Sequence, residues 1–166
     1  MIFNENIIDV LIADDRWLKW HTQQQWQNLI QRISEKTLNE VKIFSKVEIS
    51  ILLTNNTEIH DLNLKYRGKD KPTNVLSFPN LNQEELNDVD KDREFPVMLG
   101  DVVLAFETLL DEATQAKKNF LDHFNHLIVH GMLHLLGYDH EHDAEEEKMQ
   151  KKEIKILQHF SINNPY

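Results

Sequence analysis

HGMLHLLGYDH, residues His130 to His140, is the stretch from which the rest of the chain can be read. A helix advances about 100° per residue, so His130 and His134 project from one side, roughly 40° apart and one turn along. Gly137 tolerates the left-handed conformation that ends a helix and lets the chain turn back. That reversal carries His140 towards the first two imidazoles. Three neutral imidazoles leave a tetrahedral ion one open position, the pattern of a catalytic centre and not of a closed structural one. The stretch therefore predicts one divalent metal per chain, zinc first and another divalent transition metal as the alternative, held by His130, His134 and His140. Histidine pairs at this spacing also occur on ordinary surfaces and in cores, and clustered histidines bind metal adventitiously. The complete string, with a mechanical reason at every position, argues for a built site.

Outward from this string, residues from about Asn119 to Leu136 read as one long apolar helix that carries most of the histidines. His123 and His126 read as structural or surface residues. Of the two, His126 is better placed to face the site, because it lies four residues before His130. A last helix follows with Asp143 as its cap, Glu145 to Glu147 in its first turn and Lys148, Lys151 and Lys152 later, an order that suits the helix dipole. Towards the N-terminus, Asn6 to Ile12 fits a strand. Thr22 caps a helix with an apolar face of Trp26, Leu29, Ile30, Ile33 and Leu38. Val47 to Leu53 alternates as a second strand. Asn55 or Thr57 caps a helix through Ile59, Leu62, Leu64 and Tyr66, ended by Gly68. Val75 to Phe78 is a short strand, Leu99 to Leu104 another, and Glu107 to Lys117 is helical. The tract NLNQEELNDVDKDREFP, residues 80–96, is polar, acidic and without periodicity. It reads as a solvated loop, long enough to act as a lid. The class is α+β (mixed α/β): a small mixed β-sheet packed by helices, one of which carries the metal-binding histidines. Strand order is beyond this reading.

The chain has 166 residues, 40% hydrophobic and 28% charged, with 4 Gly, 4 Pro and no repeat. This suits a single domain over residues 1–166. With no cysteine, disulfides, a thiol nucleophile and cysteine-based zinc sites are all excluded. The first residues lack a basic start and read as a strand, not as a signal peptide. No stretch approaches the roughly 20 apolar residues that span a bilayer, so the expectation is a cytoplasmic protein with no membrane partner. The net charge of −10, from 18 basic and 28 acidic residues, argues by itself against nucleic acid.

The histidine spacing is that of the metzincin metalloproteases, H-E-x-x-H-x-x-G-x-x-H, in which the Glu after the first His is the general base. Gly131 stands there in this chain and can do no acid–base chemistry. Met149 falls in the last helix, so no downstream Met-turn is evident. A metal hydrolase of that kind is the weaker reading.

Two further blocks, LNLKYRGKDKPTNVLSFP (Leu62 to Pro79) and LGDVVLA (Leu99 to Ala105), precede HGMLHLLGYDH. Together the three resemble the YbeY family of metal-dependent endoribonucleases, which act in ribosomal RNA maturation and ribosome quality control. They come in the expected order and cover roughly the C-terminal two thirds of the chain. The resemblance implies His130, His134 and His140 as metal ligands and Arg67, in the family's Y-R element, as a residue important for activity. It also implies a single-strand-preferring enzyme whose partners are ribosomal RNA and the ribosome or ribosome-associated factors. One departure concerns Asn74: the family usually reads P-T-D-V-L-S-F-P, so a neutral isostere replaces a carboxylate and puts any proton-handling role there in question.

The resemblance recasts the charge. Lys65, Arg67, Lys69 and Lys71 put four cations within seven residues, opposed only by Asp70. Such a strip beside a dication can bind a few phosphates even on an acidic protein, because fields beyond about 10 Å are largely screened at cellular salt. The lysines read equally well as a solvated loop, whereas the planar fork of Arg67 suits a pair of phosphate oxygens. Zinc would bring the pKa of water towards 7, and Arg67 would stabilise charge on the phosphoryl oxygens. Asp101, Ser77, Asp139 and His142 stand as candidates for the base. Asp139 could instead orient an imidazole, or cap the turn. A ribosome assembly factor with a purely structural metal remains the non-enzymatic alternative.

Overall fold

The computed structural model describes residues 6–90 and 94–166. Four strands, β1 (Ile7–Ile12), β2 (Val47–Thr54), β3 (Val75–Pro79) and β4 (Val97–Ala105), form one sheet in the order β1-β2-β4-β3. The first three neighbours run parallel and β3 pairs antiparallel with β4 along the edge. Helix α1 (Gln23–Val41) makes the crossover from β1 to β2, and α2 (Asn56–Arg67) leads from β2 towards β3. The other helices are α3 (Gln83–Asn87), α4 (Phe106–Gln115), α5 (Phe120–Leu135) and α6 (Asp143–Gln158). The α+β class and the mixed sheet expected from the sequence are both present.

The period of two along β4 sorts its side chains between the faces of the sheet. Val102 and Leu104 join Ile49, Ile51 and Leu53 of β2 in the main core, together with the apolar face of α5. Val103 and Ala105 point the other way and pack with Ile59 of α2 and Leu76 of β3. Helix α5 is thus the central helix, laid against β3 and β4 and flanked by α1, α4 and α6. Ten of its sixteen residues are buried, which leaves its histidines to form the polar side. Near its start Trp17, from a short 3-10 turn (Asp15–Lys19), packs edge-on against Trp26, Phe106 and Phe124. Its indole N–H donates to the Thr54 carbonyl at 2.8 Å.

Most of the caps fall where the sequence puts them. Thr22 and Gln25 form a capping box for α1, Asn55 caps α2, and Gly68 closes α2 with φ 67°. Two expectations need correction. The tract 80–96 is not simply a solvated loop: Asn82 and Glu85 form a capping box for α3, and Leu86 and Val89 are buried in the main core. Two apolar residues three apart suffice to fold a short helix onto the core, too few to register as a period. Residues 91–93 of that tract, like residues 1–5, lie outside the described residues. The cap of α6 is His142, without a side-chain bond, and Asp143 is the first helical residue, where its charge still suits the dipole.

Candidate metal centre

His130 and His134 leave α5 one turn apart, with ring centroids 4.7 Å from each other. Gly137, at φ 87°, then reverses the chain: its N–H donates to the His134 carbonyl at 3.1 Å and the Tyr138 N–H to Leu133 at 3.0 Å. The turn brings the His140 ring to 5.0 Å from His134 and 5.6 Å from His130. One ring nitrogen from each of the three lies within 4.8 Å of the others. His130 and His134 are partly buried and His140 is exposed, so the group opens to one side.

Hydrogen bonds assign the protons. Nδ1 of His134 is 2.9 Å from the Tyr138 carbonyl, which can only accept, so Nδ1 carries the hydrogen. Nδ1 of His130 is 2.6 Å from Oε1 of Glu153 and donates in the same way. The two Nε2 atoms, on the far side of the rings from these acceptors, face each other at 3.1 Å. Two ligands of one tetrahedral ion with metal–nitrogen bonds of 2.0–2.1 Å stand about 3.3 Å apart. The spacing of the pair is therefore close to that of two ligands on one ion. Burial, and then the neighbouring His130 and His140 rings, lower the pKa of His134 to about 4, so the ring is neutral at physiological pH.

Behind His130 lies a group that sequence reasoning missed. Glu153, on α6, is fully buried. Its Oε1 accepts from His130, its Oε2 accepts from the Tyr166 hydroxyl, and that hydroxyl lies 3.3 Å from Nε2 of His126. Burial pushes the Glu153 carboxyl up, but the bonds from His126, His130 and Tyr166 outweigh it and hold the group ionised. Burial and the adjacent carboxylate push the Tyr166 phenol up, so it stays a donor. The sequence did carry a signal, an acid on the buried stripe Met149, Glu153, Ile156 of a helix otherwise read by its surface charges.

The histidines open onto a cleft of about 850 Å³. Its other walls are Tyr66, Arg67 and Lys69 at the end of α2, Thr73 to Pro79 around β3 without Leu76, and Gly137 to Glu141. Arg67, exposed, therefore shares the cleft with the three histidines, as does Lys69, whereas Lys65 and Lys71 do not line it. Asp70, the acid within the basic strip, bonds the His60 ring at 2.7 Å. Of the four candidate bases, Ser77 and Asp139 line the cleft and Asp101 and His142 do not. The Ser77 hydroxyl donates to the Gly131 carbonyl at 2.8 Å. Asp139 caps the turn, its Oδ1 accepting the His140 N–H at 2.7 Å.

Asn74 and Gly131 both have steric or electrostatic reasons. The Asn74 amide donates to both oxygens of Glu112, at 3.1 and 3.0 Å, while its own oxygen accepts the Val75 N–H. A carboxylate at this position would meet the Glu112 carboxylate instead. Glu112 also bonds His123 at 2.7 Å, and these bonds overcome its burial to hold its pKa below the ordinary value. At Gly131 a Cβ would lie 2.7 Å from Cγ1 of Val102 and 3.2 Å from the Ser77 hydroxyl. Here α5 meets the sheet backbone-close, and the glutamate of a metzincin has no room.

An open three-imidazole group under a cleft, on a small α+β fold, has the donor set of a hydrolytic metal centre. The family model described as Endoribonuclease YbeY matches residues 12–161. Relatives of that description include one from Bradyrhizobium diazoefficiens, 41% identical over 98% of this chain and 86% of its own length. Another, from Acinetobacter baumannii, is 47% identical over 82% of this chain and 85% of its own. The solution structure of TM1509 from Thermotoga maritima superposes with a TM-score of 0.56 at 25% identity, over 93% of this chain and 92% of that one. The chain belongs to the YbeY endoribonuclease family. Among the described residues no helix is long and apolar enough to cross a membrane.

Proposed function

We propose that residues 1–166 act as one metal-dependent endoribonuclease domain that hydrolyses single-stranded ribosomal RNA in the cytoplasm, in rRNA maturation and ribosome quality control. The supporting observation is the pair of Nε2 atoms facing each other at 3.1 Å, with His140 alongside and the cleft in front. His130, His134 and His140 hold one divalent ion, zinc on the nitrogen-only donor set. That ion supplies Lewis acidity and brings water into the range where it ionises near neutral pH.

The chain's own residues do the rest. Arg67 offers two parallel N–H groups to phosphoryl oxygens across the cleft from the histidines, and Lys69 adds a point charge for a neighbouring phosphate. Of the candidate bases, Ser77 and Asp139 line the cleft, and we take Asp139, whose Oδ1 accepts the His140 N–H, as the group that accepts a proton from the attacking water. The other acids of the chain repel free RNA, which leaves targeting to the ribosome or a ribosome-associated factor.

The test is to incubate the purified chain with single-stranded and structured ribosomal RNA beside chelator-treated, His134→Ala and Asp139→Asn samples. The reading expects cleavage that the first two treatments abolish and the third lowers by about 10²–10⁴-fold. Cleavage that survives loss of His134 would assign the activity to a contaminant. A chain that never cleaves and unfolds when chelated would be an assembly factor with a structural metal.

A further inference from the structure

Glu153 is an ionised carboxylate with no exposed surface, and among the described residues no lysine or arginine lies within ion-pair distance of it. A buried charge is costly unless it is paired and hydrogen-bonded. What it has are three groups on two elements. His130 Nδ1–H donates to Oε1 at 2.6 Å, the Tyr166 hydroxyl donates to Oε2, and His126 Nε2 stands 3.6 Å from Oε1 and 3.3 Å from the hydroxyl. His126, His130 and Glu153 resemble a second metal site by proximity alone. The 2.6 Å contact argues against it, since ligands of one tetrahedral ion stand about 3.3 Å apart. The contact is a hydrogen bond from the imidazole to the carboxylate.

We propose that Glu153 is a positioning residue for the metal centre and that Tyr166 is the latch that holds it. The inference rests on the reading of His130 as a ligand. By accepting from Nδ1, Glu153 fixes the one tautomer of His130 whose Nε2 lone pair points at His134, and it makes that nitrogen a stronger donor. Tyr166 constrains the other carboxylate oxygen and so the rotation of the group. It arrives from the segment beyond α6, whose Pro165 carbonyl accepts from Lys118 Nζ at 2.8 Å beside the start of α5. The metal centre is thereby tied to a residue at the far end of the described chain.

A neutral isostere keeps the shape of Glu153 but weakens its hold on the His130 Nδ1 proton. Metal affinity and the tautomer of His130 then change together, which a merely structural role does not require.

The experiment uses the full chain and zinc alone. Zinc affinity is measured by competition with a chromophoric chelator for the natural protein, Glu153→Gln, Tyr166→Phe and His134→Ala, and unfolding of each metal-free protein is followed in parallel. Glu153→Gln is expected to bind zinc about 10–100-fold more weakly. Tyr166→Phe, which loses only a hydroxyl, is expected to weaken zinc binding by less than that. In the histidine ring nitrogen spectrum, His130 is expected to leave its single tautomer in Glu153→Gln. Natural affinity in both Glu153→Gln and Tyr166→Phe overturns the inference, as does a loss of affinity in Glu153→Gln with the His130 tautomer unchanged. Zinc binding by His134→Ala equal to that of the natural chain overturns instead the underlying metal reading. If Glu153→Gln does not fold, Tyr166→Phe decides alone.

Discussion

Nε2 of His130 and Nε2 of His134 stand 3.1 Å apart, and each ring keeps its proton on the far nitrogen, His130 for Glu153 and His134 for the Tyr138 carbonyl. Both acceptors are built into the fold, so both Nε2 atoms are turned towards one point that a cation can occupy. Zinc at 100 times its dissociation constant should then stabilise the protein by about 2.7 kcal/mol. For a chain of this size that is a rise in melting temperature of roughly 5–10 °C. A thermal scan with zinc, with zinc plus chelator, and on His134→Ala reads the effect. An unchanged melting temperature with zinc contradicts this account of the pair.

Gly131 shows why the position cannot carry a base. Gly131→Ala puts a methyl 2.7 Å from Val102 Cγ1, on a wall formed by the central strand β4. Overpacking of this kind costs about 1–3 kcal/mol, partly offset by the helix propensity of alanine. A net loss of about 1–2 kcal/mol is expected in denaturant unfolding, and Gly131→Glu should not fold. Natural stability in Gly131→Ala would mean that α5 stands further from the sheet.

Arg67 is exposed at the end of α2 and should matter to RNA alone. Arg67→Ala is expected to lower kcat by about 10²–10³-fold, the loss that follows removal of one preorganised donor. Its unfolding free energy should stay within about 0.5 kcal/mol of the natural value. Arg67→Lys should recover little, because a point charge does not replace a fork. Single-turnover kinetics on one RNA with all three proteins decide it, and full activity in Arg67→Ala removes Arg67 from the mechanism.

The pH dependence of stability should centre on Arg16. Its guanidinium bonds Asp14 at 2.8 Å and Glu107 at 2.7 Å, and Glu107 also accepts the Asn56 N–H, joining the 3-10 turn to the starts of α2 and α4. The Arg16 bonds hold Asp14 well below the usual carboxylate range. Glu107, though pushed up by burial, is also held low by Arg16. Because both folded values lie below the unfolded ones, the unfolded chain binds more protons in acid. The contribution is present above about pH 4–5 and lost as pH falls through the folded values. Arg16→Gln should cost on the order of 1 kcal/mol at pH 7, since the arginine is 40% exposed, and progressively less in acid. A pH-independent difference would show that packing, not charge, is what Arg16 supplies.

The sequence was legible wherever a local rule decides the outcome. Thr22, Asn55 and Gly68 bound their helices by capping chemistry alone, and the i, i+4 histidines with Gly137 follow from helix geometry. What was not legible depends on contacts far apart in the chain. α3 folds because Leu86 and Val89 find the core from an acidic tract, which no window of sequence reveals. Glu153 reaches His130 across 23 residues and Tyr166 reaches Glu153 across 13, so the support of the metal centre appears only when α5 and α6 are packed. Asn74 is a lost carboxylate by sequence, and its reason, Glu112, lies 38 residues on.

The central claim, that one ion on His130, His134 and His140 powers RNA hydrolysis, is tested most directly by titrating metal-stripped protein with zinc while measuring cleavage of a single-stranded ribosomal RNA. Activity should rise from zero in proportion to bound zinc and reach its plateau at one ion per chain, and His134→Ala should stay flat throughout. Full cleavage by the stripped protein, or a plateau unrelated to occupancy of the three histidines, would contradict it.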